Sequence, residues 1–380
     1  MDLMLTEEQR ELQQMIAKFG KNEVLKRARE CDRTGEFPVD LYDKAIEMGL
    51  HMIDIPEKFG GGGFDPVTAV IVQEELAKYD AGFTVSIFAS GLAAKPLLIA
   101  GTDRQLQMFT DVLAQGKMAA FCLTEPQAGS DAGANQTTAV KDGDEYVLNG
   151  TKCFITTGGM AGIYLVFAMT DKSKGVKGMS AFIVDRNAKG VSVGKEEDKM
   201  GIRLSNTTDV IFEDVRVPAE NMVGPEGGGF KLAMMTLDMA RPSCGAAAVG
   251  ICQAAIDLSK EYALQRKTFG RPIATNQAIQ FKLADMQIAT ETARQYVRYV
   301  AGLIKEGKPH SMEAAIAKAY ASDCAVKVTQ EAIQIFGGYG YSREYPVEKL
   351  YRDAKIFQIF EGTNEIQRTV IAGNLLKQKM

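Results

Sequence analysis

The spacing of apolar residues divides the chain into a helical first part, a β-rich middle part and a helical last part. Up to about residue 114 the apolar positions recur every three or four residues, and Thr6-Glu7-Glu8-Gln9 has the form of a helix-capping box. Helices are predicted over 6–29, 40–48, 66–78, 82–98 and 104–114. The glycines at 60–63 are expected to form a flexible turn, because neither a preceding strand nor a Gly-Lys-Ser/Thr ending makes them a phosphate loop.

From residue 117 onward the pattern changes to short β-rich runs without intervening helices. Turns are predicted at Asn149-Gly150 and Lys189-Gly190, and closely spaced strands of this kind favour an antiparallel barrel or sandwich. Past residue 229 the helical period returns over five segments, 230–264, 277–306, 311–336, 344–360 and 363–377. These lengths predict an antiparallel bundle. The predicted domains are therefore 1–116, 117–226 and 227–380.

Composition narrows the class of protein. The 380 residues are 46% hydrophobic and 24% charged. The formal net charge is -4, so the chain as a whole lacks the positive charge that binds nucleic acid. No apolar run is expected to reach the ~20 residues that cross a bilayer. The acidic N-terminus lacks a targeting pattern, which predicts a cytoplasmic or mature organellar protein.

Cysteine and histidine usage argues against two kinds of site. The six cysteines are scattered without a Cys-x-x-Cys pair, so reduced and mostly buried thiols are expected. His51 and His310 are the only histidines, and neither has metal-ligand spacing. A histidine-based metal site or a Ser-His-Asp triad is thus not predicted.

The segment 351–368 carries the strongest candidate for chemistry. Glu361 is followed by the helix breaker Gly362 and by Thr363, a good N-cap for a second helix. Glu361 would then lie between two helices beside apolar residues, where the pKa of a carboxyl group rises and suits a base. The same pattern is also typical of a solvated residue just past a helix end, and these residues alone do not exclude that interpretation.

Four other segments could contact a ligand, although each has an ordinary structural explanation. The segments at 121–131 and 153–159 place hydroxyls, glycines and an aromatic ring at strand ends. The segment at 265–272 closes a helix with cations, and that at 334–341 ends a helix in glycines.

Taken together, these motifs resemble the acyl-CoA dehydrogenase family from the first helix to the last. The motifs are co-linear: Leu123-Thr124-Glu125-Pro126 with Ala128-Gly129-Ser130-Asp131, Phe154-Ile155-Thr156, Arg266-Lys267-Thr268-Phe269-Gly270, Gln334-Ile335-Phe336-Gly337-Gly338, Arg352-Asp353-Ala354-Lys355 and Glu361-Gly362-Thr363. The resemblance implies a mainly α fold with a central β domain: an α-helical N-terminal domain, a β-barrel and a C-terminal four-helix bundle. It also implies FAD as cofactor, a homotetramer built as a pair of dimers, and an electron-transferring flavoprotein as acceptor.

The resemblance also implies roles for individual residues. Glu361 matches the base of the short- and medium-chain branches; the branches acting on isovaleryl or long-chain substrates take it from the position of Ala240, which cannot serve. Positions matching the flavin and pyrophosphate site are Phe121, Leu123, Thr124, Gly129, Ser130, Phe154 and Thr156. Positions matching the site for the adenosine half of a neighbour's FAD are Arg266, Thr268, Phe269, Gln277, Gln334, Gly337 and Gly338. Thr363 and Glu365 match a further cofactor-contacting segment, and the positions matching the thioester site are Ser130, Asp238, Arg241, Phe360 and Gly362.

The expected reaction is α,β-dehydrogenation of an acyl-CoA thioester. In the family the thioester carbonyl is held by the backbone N–H of the base and a ribityl hydroxyl of FAD, an oxyanion-hole arrangement. Two positions depart from the common pattern: Phe154 replaces Trp, and Phe360 replaces Tyr. Small residues at 88–94, which match a helix bordering the acyl cavity, predict a short, branched or alicyclic acyl group.

Alternative functions remain open at this stage. Within the fold, an enoyl-CoA reductase working in the reverse direction or an acyl-CoA oxidase would use the same site. From another class, the chain could be a non-catalytic helical scaffold. A nicotinamide-binding Rossmann enzyme is disfavoured, because no Gly-x-Gly-x-x-Gly joins a strand to a helix.

Overall fold

The N-terminal part of the chain is helical. The structure, a computed structural model, describes residues 5–377. Its first helices are α1 (Glu7–Phe19), α2 (Leu25–Thr34), α3 (Val39–Glu47), α4 (Pro66–Ala77), α5 (Ala81–Ile87), α6 (Ala89–Ala100) and α7 (Asp103–Ala114). The predicted capping box opens α1, since Thr6 Oγ1 accepts the N–H of Gln9 at 3.2 Å. One π-helical turn at Gly20–Val24 joins α1 to α2, so the two form one continuous helical segment.

The segment predicted as one helix over 82–98 is two helices, α5 and α6, which meet at Phe88. Ala81–Ala100 is long and apolar enough to cross a membrane, so the expectation that no run approaches this length was wrong. About 67% of the most apolar window is buried inside the protein. Core packing therefore accounts for its hydrophobicity.

The middle part is a β domain, as predicted. Its strands are β1 (Met118–Cys122), β2 (Thr138–Asp142), β3 (Glu145–Thr156), β4 (Ala161–Met169), β5 (Met179–Asp185), β6 (Val191–Glu196), β7 (Thr207–Pro218) and β8 (Met222–Val223). They form one sheet in the order β6-β7-β3-β2-β4-β5-β8, and β1 pairs with β4. The pairs β1–β4 and β2–β4 are parallel, and the others are antiparallel.

The predicted turn at Asn149-Gly150 is wrong, because β3 runs straight through these residues. The pairing of β3 with β7 shifts register between Leu148 and Gly150, which marks a bulge. Gly150 has a φ of 151°, and a Cβ there would lie 2.4 Å from Thr137 Oγ1. Here the glycine allows a close approach within a strand instead of ending the strand.

The last part of the chain is again helical. It contains α8 (Gly229–Gln265), a short hairpin of β9 (Lys267–Thr268) and β10 (Arg271–Pro272), α9 (Gln277–Lys305), α10 (Ser311–Phe336), α11 (Val347–Ile356) and α12 (Asn364–Lys377). The helices α8, α9 and α10 pack around an alanine-rich core, and α11 and α12 pack against α10. The predicted fold class is confirmed, whereas the domain limits at 116 and 226 stay predictions. All six cysteines are buried and unpaired, as expected.

A buried charge cluster joins the three parts of the chain. Lys349 of α11 donates to Asp80, which precedes α5, at 2.6 Å and to Asp353 at 2.5 Å. Asp353 in turn accepts the N–H of Ile202, in the loop before β7, at 2.6 Å. Because breaking a buried pair leaves an uncompensated charge, this cluster fixes the helical parts relative to the β domain.

Candidate active site

Glu361 lies in the short connection between α11 and α12, as the sequence predicted. Its backbone is left-handed, with a φ of 54°, and Gly362 follows with a φ of 88°. Such a conformation costs a non-glycine residue on the order of 1 kcal/mol and persists only where the surroundings enforce it. Thr363 Oγ1 accepts the N–H of Ile366 at 3.3 Å, which confirms Thr363 as the cap of α12.

Burial determines the pKa of the Glu361 carboxyl group. Although the residue as a whole is half-buried, Oε2 is shielded from solvent and has no hydrogen-bond partner within the described residues 5–377. Burial raises the pKa of Glu361 to about 7, and the positive charges of Lys318, Arg241 and Lys95 oppose that rise. The solvated alternative is therefore wrong: this is a desolvated carboxyl group that exchanges a proton near neutral pH.

Glu361 shares one cavity with all the residues predicted to hold the flavin. The cavity has a volume of about 410 Å³. The predicted flavin-site residues that line it are Phe121, Leu123, Thr124, Gly129, Ser130, Phe154 and Thr156. These come from β1, from the loop after it and from the end of β3. The cavity therefore lies where the β domain meets the C-terminal helices.

Phe154 presents its ring to this cavity in a strained conformation. Its φ is 55° and 64% of the residue is exposed, although it lies inside strand β3. An aromatic residue with positive φ is an outlier, and such outliers cluster at ligand sites. The exposed ring is suited to stacking against a flat ligand.

A buried ion pair fixes the loop that carries Thr124 and Ser130. Lys152 on β3 donates to Glu125 at 2.7 Å and to the carbonyl of Leu123 at 3.2 Å, and it also contacts Asn135. Glu125 additionally accepts the N–H groups of residues 136 and 137 at 2.6 and 3.0 Å. Burial alone would raise the pKa of Glu125, but Lys152 and these donors hold it below its ordinary value. The loop is thus pre-organised before any ligand binds.

The residues predicted for the thioester site divide into two groups. Ser130, Arg241, Phe360 and Gly362 line the cavity, whereas Asp238 does not. Asp238 instead forms an ion pair with Arg241 one helical turn away on α8. Asp238 therefore compensates the charge of Arg241, and its predicted contact with the thioester stays a prediction.

The wall of the cavity also carries an ion pair that the sequence motifs do not predict. Lys95 of α6 donates to Asp54 at 2.6 Å, and both line the cavity. Lys95 lies on the same face of α6 as Leu92, which also lines the cavity, as does Phe88 at the N-cap of α6. The signal was available, because Lys95 is the single charged residue between Ala81 and Ala100.

The residues predicted for the adenosine half of a neighbour's FAD lie apart from the Glu361 cavity. Four of them, Arg266, Thr268, Gly337 and Gly338, line a separate surface depression together with Tyr262 and Tyr339. Phe269 is fully exposed with a φ of 50°, and Gln277 and Gln334 are also exposed. Thr363 and Glu365 do not line the Glu361 cavity, so their predicted contact with the cofactor stays a prediction.

The chain is similar to known proteins over nearly its whole length. Family models for the N-terminal, middle and C-terminal domains of acyl-CoA dehydrogenase match residues 6–117, 120–215 and 227–376. The structure of butyryl-CoA dehydrogenase from Megasphaera elsdenii superposes with a TM-score of 0.96, at 48% identity over 99% of this chain and all of that one. A chain in a structure described as the electron transferring flavoprotein of Acidaminococcus fermentans also superposes with a TM-score of 0.96, at 47% identity over 99% of this chain and all of that one. The acryloyl-CoA reductase (NADH) of Anaerotignum propionicum is 47% identical over all of this chain and 97% of its own length.

Fold and site together define a flavoprotein oxidoreductase that acts on CH–CH groups. The chain belongs to the acyl-CoA dehydrogenase family. FAD is the cofactor of this family, and the cavity residues fit it. The exposed ring of Phe154 could stack on the flavin, and the hydroxyls of Thr124, Ser130 and Thr156 are suited to its polar edges.

Proposed function

We propose that this enzyme dehydrogenates a short, branched or alicyclic acyl-CoA thioester at Cα and Cβ, with Glu361 as the base. The observation that carries the proposal is the desolvated carboxyl group of Glu361, which has a pKa of about 7 and shares one cavity with the flavin-site residues. A base with a pKa close to the working pH combines a useful ionised fraction with a real affinity for the proton.

The chain's own residues account for the proton and for the carbonyl oxygen. Glu361 takes the α-proton onto its carboxylate, and the electron pair of that C–H bond becomes part of the new Cα–Cβ double bond. When bound, the flavin supplies the acceptor for the hydride that leaves Cβ. Within the described residues no acceptor takes the backbone N–H of Glu361, so this group is available to the thioester oxygen. Such a donor stabilises the enolate-like charge that develops there.

The cavity favours a compact acyl group. Its volume of about 410 Å³ must take the reacting part of the flavin as well as the acyl group. In addition, a long alkyl chain laid against the wall would desolvate the Lys95–Asp54 pair without a hydrogen bond in return. The relation to butyryl-CoA dehydrogenase supports the same size class.

The partners are proposed from the surface and from the relatives. Phe269 is fully exposed, has a strained backbone and lies close to the depression lined by Arg266 and Thr268. This surface is suited to packing against a second copy of the chain, whose bound FAD would reach the depression. We therefore infer a homotetramer built as a pair of dimers. An electron-transferring flavoprotein is the inferred electron acceptor, in keeping with the subject of the Acidaminococcus fermentans structure.

The test is an anaerobic titration of the purified flavoprotein with a panel of acyl-CoA thioesters, following the flavin spectrum. Butyryl-CoA or cyclohexanecarboxyl-CoA should bleach the flavin, and the Glu361→Gln variant should keep FAD but should not bleach. The matched control is Glu344→Gln, which changes an exposed glutamate before α11. Normal bleaching in Glu361→Gln would refute the base, and a higher kcat/KM for octanoyl-CoA than for the compact thioesters would refute the size class.

A second candidate function is reduction of an enoyl-CoA in the reverse direction. The relation to an acryloyl-CoA reductase that uses NADH favours it. Oxidation of NADH on addition of crotonyl-CoA, with or without an electron-transferring flavoprotein, would support this direction. If the enzyme turns over only with acyl-CoA and an oxidising flavoprotein, the dehydrogenase direction stands.

A further inference from the structure

A buried lysine from α10 reaches the backbone that carries the base. Lys318 is fully buried, and its Nζ donates to the carbonyl of Gly362 at 2.8 Å and to Asn364 Oδ1 at 3.0 Å. Gln367 of α12 donates to the same Gly362 carbonyl at 2.8 Å and to that of Glu361 at 3.1 Å. Side chains from two helices thus hold the left-handed Glu361–Gly362 connection in place.

The charges around the Glu361 carboxylate are not equivalent. Three cations act on it: Lys318, Arg241 and Lys95. Arg241 is paired with Asp238, and Lys95 is paired with Asp54. Lys318, by contrast, donates to a carbonyl and an amide oxygen.

The remaining titratable groups that act on Glu361 or Lys318 are either neutral or paired with another charge. Cys244 of α8 also faces Glu361, but burial raises the pKa of its thiol, which therefore stays neutral. Asp323 on α10 also acts on Lys318, but it forms its own ion pair with Arg368 at 2.9 Å and no salt bridge with Lys318. Burial lowers the pKa of Lys318 itself, and the negative charge of Glu361 opposes this lowering, so that the two groups stabilise each other's charged forms.

We propose that Lys318 is a positioning residue for the base: its ammonium group holds the Gly362 carbonyl and supplies the uncompensated positive charge that keeps the Glu361 carboxylate ionisable. This inference concerns the described residues 5–377 and rests on Glu361 being the base. Its physical basis is that burial alone favours the protonated acid, and that an opposite charge in the same low-dielectric region favours the ion. The effect of Lys318 is the largest of the three cations.

The first test is the pH dependence of kcat/KM for the holoenzyme with butyryl-CoA and a soluble dye acceptor. In Lys318→Gln and Lys318→Met the apparent pKa should move upward by about one unit, which is about a tenfold loss of kcat/KM below the midpoint with recovery in alkali. Lys318→Arg should restore most of the profile, because it keeps the charge. Lys327→Met, an exposed lysine on the same helix, is the matched control.

The second test is a melting-temperature cycle, which does not depend on turnover. Replacing Glu361 by Gln should stabilise the Lys318→Gln protein at pH 8 by more than it stabilises the wild type, because the carboxylate is then ionised and has lost its cation. Equal effects in both backgrounds, or an unchanged midpoint in the kinetic profile, would overturn the proposal. Bleaching by Glu361→Gln itself would instead refute the proposed function, so the two failures are distinguishable.

Discussion

The buried charge of Glu361 should make the wild-type enzyme less stable in alkali than its Glu361→Gln variant. Burial raises the pKa of this carboxyl group from an ordinary 4.5 to about 7, and the difference corresponds to about 3 kcal/mol of unfavourable interaction of the carboxylate in the folded state. The sign follows from linkage: below pH 4.5 both states are protonated and there is no penalty, while above pH 7 the penalty is complete.

The size of the effect can be worked out for a chain of 380 residues. With an unfolding entropy of about 2 cal/mol/K per residue, removal of about 3 kcal/mol corresponds to about 4 °C in melting temperature. Glu361→Gln should therefore melt about 4 °C higher than wild type at pH 8, and close to wild type at pH 5.

The assay is differential scanning calorimetry of the FAD-loaded proteins at both pH values. Glu344→Gln serves as control, because it changes an exposed glutamate that pays no desolvation cost. A melting temperature that is raised equally at pH 5 and pH 8, or lowered at pH 8, would show that the Glu361 carboxylate is not destabilised by burial.

Three further outcomes follow from the structure. The kcat/KM of the wild type should rise about tenfold from pH 6 to a plateau above pH 8, because Glu361 must be ionised to take a proton; a flat profile over this range would contradict its pKa of about 7. Lys152→Met should cost about 3–5 kcal/mol in the free energy of unfolding and weaken FAD retention, measured by urea titration and flavin absorbance, since it leaves Glu125 buried and unpaired. Gly201→Ala should lower the free energy of unfolding by about 1–3 kcal/mol, because its Cβ would lie 2.5 Å from the backbone of Arg352. Gly373→Ala in α12 should raise the free energy of unfolding by about 0.5–1 kcal/mol, because a Cβ there meets no neighbour. The reverse order of the two melting temperatures would contradict the packing.

The sequence predicted the order of helical and β parts because the period of apolar residues changes sharply at both junctions. It misplaced local features that depend on distant neighbours. The sequence predicts a turn at Gly150, whereas the close approach of Thr137, the residue before β2, explains this glycine. Strand β2 (Thr138–Asp142) cannot be predicted from the sequence, since a short segment with only two apolar residues carries almost no alternation.

The candidate base could be placed from sequence, but its environment could not. Glu361 stands beside a helix breaker and an N-cap, which are local signals. Lys318 lies in an alanine-rich helix, and its burial could have been inferred from the apolar face it shares with Ala314, Ala321 and Ala325. Its contact with Gly362 joins positions 44 residues apart, and no periodicity encodes such a contact.

The shielding of Glu361 Oε2 also bears on when the enzyme releases its proton to the medium. Within residues 5–377 this oxygen has no hydrogen-bond partner. A proton bound to it therefore has no hydrogen-bonded path to solvent while the thioester fills the cavity. In a stopped-flow experiment with an indicator dye, acidification of the medium should therefore lag behind the loss of flavin colour and follow the departure of the enoyl product.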